Sequence, residues 1–265
     1  MTAFVLSAAQ EARFREEGYF IAERLFDAEE IGLLRAIARA DHRLVQDAAG
    51  RRDGHGGVVT LAVRNELGDD VYSAFVRCRR VVATMERLLG GEVYHYHHKM
   101  ILKEPRVGGA WEWHQDYGYW YHTGCLFPLL ASCLIAVDPA TAANGCLQVL
   151  RGSHHLGRLD HGPIGDQTGA DPEHVAAALD RLELVHCELE PGSAVVFHCN
   201  VLHRSDQNRS PDPRWALIGC YNAARNDPYK HSRHPRYTCL ETWPDERVAE
   251  IGRRQWAELR SLVTP

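Results

Sequence analysis

Over the first 90 residues apolar positions recur mainly at helical spacing, and beyond them they fall in short runs broken by Gly, Pro and Asn. Ser7 is placed to cap a short helix, AAQEARFREE, which Gly18 ends. YFIAERLF, 19–26, alternates apolar and polar positions like a strand. Asp27 opens a second helix, AEEIGLLRAIARADHRLVQ, with Ile31, Leu34, Ile37 and Ala38 along one face. The composition of AAGRRDGHGG, from 48 to 57, predicts a loop. After residue 90, VYHYHHKMILKEP, WEWHQDYGYWYH, ASCLIAVDP, GCLQVLRGS, LELVHCELEPG, SAVVFHCNVLH and RWALIGCYN read as closely spaced strands. That spacing predicts a sandwich or barrel. Asp171 followed by Pro172 marks the start of one further helix. The tail from Asp245 carries Ile251, Leu259 and Leu262 at helical spacing. With no internal repeat or linker, the simplest organisation is a single domain over 1–265. Helical support covers 1–90, an antiparallel double sheet 91–225, and a C-terminal loop and helix 226–265.

Composition narrows the class of function. The chain has 265 residues, 45% hydrophobic and 25% charged, enough for a substantial core. Its net charge is −5 with no basic stripe, which argues against a nucleic-acid partner. No apolar run approaches the ~20 residues of a membrane span, and the N-terminus turns polar too soon for a secretion signal. Eight cysteines are scattered without a C-x-x-C pair, so neither a zinc ribbon nor a compact disulfide framework is expected. The reading is a soluble cytoplasmic protein with reduced thiols that acts on a small molecule; its oligomeric state leaves no readable pattern.

The candidate chemistry starts in WHQDYGYW, 113–120. On a strand, residues i and i+2 project from one face, so His114 and Asp116 converge while Gln115 points away. Two histidines and one carboxylate on one face of an iron ion leave positions open for substrates and dioxygen. Alone, H-x-D is a weak sign in a chain with sixteen histidines. It gains weight from 194–222, where an apolar strand runs toward His203 and a second begins at Arg214. An unpaired guanidinium beside an apolar run is costly, and its planar fork suits a bidentate carboxylate. A surface ion pair with Asp206 or Asp212 would explain Arg214 alone, and His198 competes with His203 as third ligand.

These pieces resemble the phytanoyl-CoA dioxygenase-like branch of the iron(II)/2-oxoglutarate-dependent oxygenases. The matching motifs are W-H-Q-D at 113–116, N-G-C-L at 144–147, G-S-H at 152–154 and F-H-C-N-V-L-H-R-S-D-Q-N at 197–208, followed by Arg214. The opening G-Y-F strand and helix are similar too. The resemblance implies a mainly β fold with flanking helices, built on a double-stranded β-helix (jelly-roll, cupin-like) core. It implies His114, Asp116 and His203 as ligands of Fe(II), and Arg214, Ser205 and Ser132 as contacts of 2-oxoglutarate. His198 is then a core or supporting residue. Because Asp116 keeps the metal-binding carboxylate that halogenating relatives lack, hydroxylation is expected rather than halogenation. Dioxygen and 2-oxoglutarate would be consumed, with succinate and CO2 released.

Tyr117, Tyr119, Trp120 and Tyr121 follow Asp116 closely and either wall the substrate pocket or pack against outer helices; the pocket expectations are Trp120 first, then Tyr117, with His98. In YHYHHK, 94–99, alternation aims His95 and His97 to one face and His98 to the other. RNDPYKHSRHPRY, 225–237, is basic; as a cover over the pocket it would favour an acidic substrate group, and as an exposed loop it would carry no function. Amino-acid derivatives and natural-product intermediates both suit such an enzyme. Two other classes stay open, a catalytically silent jelly-roll binding protein and a zinc hydrolase using the same three ligands.

Overall fold

The computed structural model describes residues 4–54 and 56–263, with side chains through Ser261; the side chain of Leu262 lies outside the described residues. The N-terminal part comprises α1 (Ala8–Glu17), β1 (Tyr19–Ala22), α2 (Ala28–Ala40), α3 (His42–Asp47), β2 (Ala49–Arg52), β3 (Val58–Arg64), α4 (Val71–Arg77) and α5 (Arg79–Leu89). There follow β4 (Val93–Lys103), β5 (Trp111–His114), α6 (Asp116–Trp120), β6 (Leu130–Ala136), β7 (Leu147–Leu150), β8 (His161–Ile164) and β9 (Gln167–Ala170). The chain continues through α7 (Pro172–Leu179), β10 (Leu184–Cys187), β11 (Ala194–His198), β12 (His203–Ser205), β13 (Arg214–Ala223) and α8 (Arg247–Val263).

A seven-stranded sheet of order β1-β11-β6-β13-β4-β3-β2 faces a four-stranded sheet of order β10-β7-β12-β5. Every pairing within them is antiparallel, and the jelly-roll expectation is met. The large sheet is apolar on both faces. One face is covered by a helical layer in which α4 and α5 lie against the strands and α2 and α8 pack with α4, with Phe26, Leu34, Phe75 and Met85 in the shared core. The other encloses a core containing Tyr96, Trp120, Leu134 and Phe197. Two-sided burial explains why β6 and β13 read as continuous apolar runs rather than alternating ones.

The helix caps follow from local chemistry. Ser7 and Asp27 each form a reciprocal capping box, and Gly18 closes α1 at φ +85°. Asp41 divides the expected second helix, because its side chain caps α3. The expected loop at 48–57 contains β2, which pairs with β3 as a hairpin whose β2 residues are all exposed. With neither face of β2 buried, its sequence shows no alternation to read. At the tail, Ile251 is buried and Leu259 half-buried against the helical layer. All eight cysteines are unpaired thiols, seven of them buried. No helix among the described residues is long and apolar enough to cross a membrane.

One irregularity changes which side chains face the interior. Opposite β13 the register slips between Cys220 and Tyr221, so Tyr96 is the extra residue of a β-bulge. The parity of the strand therefore reverses: Tyr96 and His97 both face inward, followed by Lys99 and Ile101. His95 and His98 share the other side, with His95 Nε2 3.0 Å from His98 Nδ1. The alternation expected for 94–99 is thus overturned for His98, which lies away from the pocket. Burial, reinforced by its partner's charge, holds His95 at a pKa of about 3, and burial holds His98 at about 4.

Against about 6.5 in an unfolded chain, the unfolded state binds protons that the folded state refuses. Stability is therefore lost as pH falls from about 6.5 toward 4. A urea midpoint followed against pH is expected to drop across that window, with a shallower drop for the His95→Leu/His98→Leu double variant. Equal slopes in the two proteins would show that this pair does not contribute.

Candidate active site

His114 ends β5 and His203 opens β12, and the strands pair with these two residues directly opposite. Their ring centroids lie 4.0 Å apart. Gln115 is extended at φ −112° and ψ 134°, so the side chains of His114 and Asp116 leave the backbone on one side. His114 Nε2 lies 3.8 Å from Asp116 Oδ1. The Gln115 amide faces the other way, donating to the carbonyls of Gly157 and Asn200 at 2.7 and 2.8 Å and accepting from Leu159 N at 2.7 Å. It fastens the strand end from behind.

The ligand atoms of His114, Asp116 and His203 all lie within 4.8 Å of one another, and the three residues are buried. Nδ1 of His114 is 2.8 Å from Glu112 O, and Nδ1 of His203 is 2.9 Å from Val201 O. A carbonyl only accepts, so Nδ1 carries the proton in both rings and Nε2 keeps its lone pair. Burial pushes both imidazoles below their usual pKa, strongly for His114, where the charge of His203 adds to the effect. Two neutral nitrogen donors and a carboxylate therefore converge without needing to lose a proton. That donor set fits a ferrous ion bound on one face.

Ser132 takes a different place from the one expected. It is wholly buried on β6, and its hydroxyl donates to Asp116 Oδ2 at 2.9 Å. It orients the carboxylate rather than lining the cavity beyond. Ser132→Ala is expected to weaken Fe(II) affinity by about 10- to 100-fold, the usual cost of losing such a partner. Anaerobic metal titration checks this, and unchanged affinity would assign Ser132 to packing alone.

A cavity of about 40 Å³ is bounded by His114, His203, Ser205 and Arg214 together with apolar Leu134, Phe197 and Ile218. Arg214 opens β13 and is only 2% exposed. Its Nη2 donates to Gly145 O at 2.6 Å, while its Nε has no partner. Among the described residues it forms no ion pair, and Asp206 pairs instead with Arg204. Burial lowers its pKa to about 10, which still leaves it cationic at neutral pH. Gly145 can present that carbonyl because it sits at φ +77°, where an added Cβ would lie 2.2 Å from Asp206 O.

Two lysines beside the site escaped the sequence reading. Lys103, wholly buried opposite Arg214, donates from Nζ to Ser205 Oγ at 3.0 Å and to the Asp206 carbonyl. With one lone pair so occupied, the Ser205 hydroxyl can turn its own proton into the cavity. Lys99 lines both this cavity and a larger neighbour. Counting alternate residues in both directions from Ile101 would have placed 99, 101 and 103 on one face.

The larger cavity, about 630 Å³, shares Leu61, Lys99, Trp111 and His114 with the first and includes Asp116. The segment after His114 was expected to continue as a strand, but residues 116–120 form helix α6. Asp116, Tyr119 and Trp120 consequently share one helical face, at i, i+3 and i+4, and all three line the cavity. Tyr117 turns inward instead, its hydroxyl donating to the carbonyls of Cys125 and Leu126 at 3.2 and 2.6 Å. His97 stands where His98 was expected. His198, at the end of β11, packs against Phe14 and His154 and accepts from Asn200 N, away from the triad.

With this geometry established, comparison with known proteins places the chain. L-proline trans-4-hydroxylase of Streptomyces griseoviridis is 33% identical over 192 residues, covering 66% of this chain and 72% of the relative. An ectoine dioxygenase of Bordetella parapertussis is 28% identical over 254 residues, covering 88% and 82%. The crystal structure of EctD from S. alaskensis with 2-oxoglutarate and 5-hydroxyectoine superposes with a TM-score of 0.76 at 25% identity, over 91% of this chain and 89% of that one. Residues 14–216 match the family described as phytanoyl-CoA dioxygenase, and the chain belongs to that family.

Proposed function

We propose that the chain works as one oxygenase domain, a non-haem Fe(II)- and 2-oxoglutarate-dependent hydroxylase of a small molecule. The substrate class that fits is an amino-acid derivative or a natural-product intermediate. The single observation that carries this reading is the pairing of a buried His114-Asp116-His203 cluster with a buried, unpaired Arg214 on the same cavity. Its relatives include a proline hydroxylase and ectoine dioxygenases, which supports the same class.

In this assignment His114, Asp116 and His203 hold the iron. Arg214 grips the distal carboxylate of 2-oxoglutarate, with Ser205 donating to it and Lys103 fixing that serine. Trp120 and Tyr119 wall the substrate side, and Leu134, Phe197 and Ile218 around the smaller cavity exclude water from the reacting atoms. Bound iron and cosubstrate supply the oxidation itself, in which substrate C–H, O2 and 2-oxoglutarate become C–OH, succinate and CO2. Asp116 supplies the carboxylate ligand, which favours hydroxylation over halogenation. A zinc hydrolase would have no use for a buried guanidinium across the cavity, and a silent binding protein would have no use for two neutral imidazoles and an aspartate gathered at one point. The test is succinate formation from 2-oxoglutarate by the purified chain in air, with and without Fe(II). Iron-dependent succinate is expected, and its absence from fully metal-loaded protein would overturn the assignment.

A further inference from the structure

The 630 Å³ cavity carries charges on its rim that the iron and cosubstrate do not use. Arg51 lies on β2, Asp166 in the turn between β8 and β9, and Arg233 on the segment that follows β13. All three are exposed, and none forms an ion pair or side-chain hydrogen bond among the described residues. Asp166 N donates to Arg52 O at 3.3 Å, so the acidic turn is docked one residue from Arg51, yet no ion pair joins their side chains. Arg233 is also held in place. Its carbonyl accepts from Asn65 Nδ2 at 2.7 Å, and the next residue, His234, stacks on Tyr96 and His97 at 4.7 and 5.0 Å. Burial keeps His234 neutral, at a pKa of about 4, and pushes His97 down as well, so the positive charge of the cavity comes from the two rim arginines and from Lys99 nearer the triad. His97 is itself 4% exposed with an unpartnered Nδ1.

We propose that this rim recognises a small zwitterion, a free amino acid or cyclic imino acid, with its carboxylate on Arg51 and Arg233 and its cationic nitrogen on Asp166. This inference rests on the hydroxylase reading for its reaction but not for its ionic contacts. Opposite charges carried on separate elements around one cavity, and not paired with each other, match a ligand that bears both signs. A ligand with only one charge would leave part of the rim unmatched. The carbon to be hydroxylated then lies toward Trp120 and the triad, away from both charged ends.

The experiment is calorimetric titration, without oxygen, of protein loaded with Fe(II) and 2-oxoglutarate. The probes are the proteinogenic amino acids and the common cyclic imino acids, each beside its primary amide and its N-acetyl derivative. At least one amino acid is expected to bind, with both derivatives weaker by about tenfold or more, as expected when a charge-assisted contact is lost. Arg51→Ala/Arg233→Ala is expected to abolish the preference over the amide, and Asp166→Asn the preference over the N-acetyl form. The proposal is overturned if no amino acid binds, if the derivatives bind as tightly, or if the variants keep both preferences. Amino-acid binding in a protein that never consumes 2-oxoglutarate would sink the hydroxylase reading and leave this ionic site standing. Consumption of 2-oxoglutarate without amino-acid binding would do the reverse.

Discussion

His203→Ala is expected to abolish iron-dependent succinate formation, leaving only the background set by free iron. The loss follows from the strand pairing that sets His203 directly opposite His114. No other described histidine, cysteine or acid joins this cluster to replace it. Removing a partner that merely orients a ligand costs about 10- to 100-fold in metal affinity, so removing a ligand must cost more. Because the His203 ring also packs on Phe197 at 4.8 Å, the variant leaves a cavity in the core. Its melting temperature and its affinity for Fe(II) therefore need to be measured together. A folded variant that still binds iron as tightly as the parent would remove His203 from the metal site.

Arg214→Met is expected to separate binding from stability. In the ligand-free chain the guanidinium is buried, with one hydrogen bond to Gly145 O and an unpartnered Nε. Removing a buried guanidinium that has no counter-ion relieves a desolvation penalty of several kcal/mol, which offsets the cost, about 1–3 kcal/mol, of leaving Gly145 O without its donor. The ligand-free variant should thus melt no lower than the parent. With 2-oxoglutarate the balance inverts, since truncating one side of a buried charge pair costs about 2–5 kcal/mol. The KM for 2-oxoglutarate is expected to rise by about 30-fold or more, and the stabilisation that the keto acid confers should largely disappear. Succinate formation at an unchanged KM would show that the arginine holds something else.

How much of this was legible in the sequence varied with the range of the interaction. Helix caps at Ser7 and Asp27 and the convergence of His114 with Asp116 depend on neighbours a few residues away, and they could be read directly. The meeting of His203 with that pair depends on which strands lie side by side, and only the family resemblance pointed to it. The bulge at Tyr96 was invisible because an extra residue leaves no compositional mark, and it exchanged the places of His97 and His98. Ser132 was set on the cosubstrate by analogy, whereas the β6 position it occupies lies behind Asp116. The aromatic run after Asp116 looked extended; once it is helical, Tyr119 replaces Tyr117 on the cavity wall. Lys99 and Lys103 could have been found by carrying the alternation of β4 to its end. Their charges discouraged placing them in an interior.

The most direct test is an absorption spectrum taken without oxygen as 2-oxoglutarate is added to the Fe(II)-loaded chain. A keto acid chelated to ferrous iron produces a visible charge-transfer band that neither component has alone. The structure predicts that band at stoichiometric iron in the parent, at much higher 2-oxoglutarate in Arg214→Met, and not at all in His203→Ala. A parent protein that binds iron but shows no band at saturating 2-oxoglutarate would contradict the joint site for metal and keto acid.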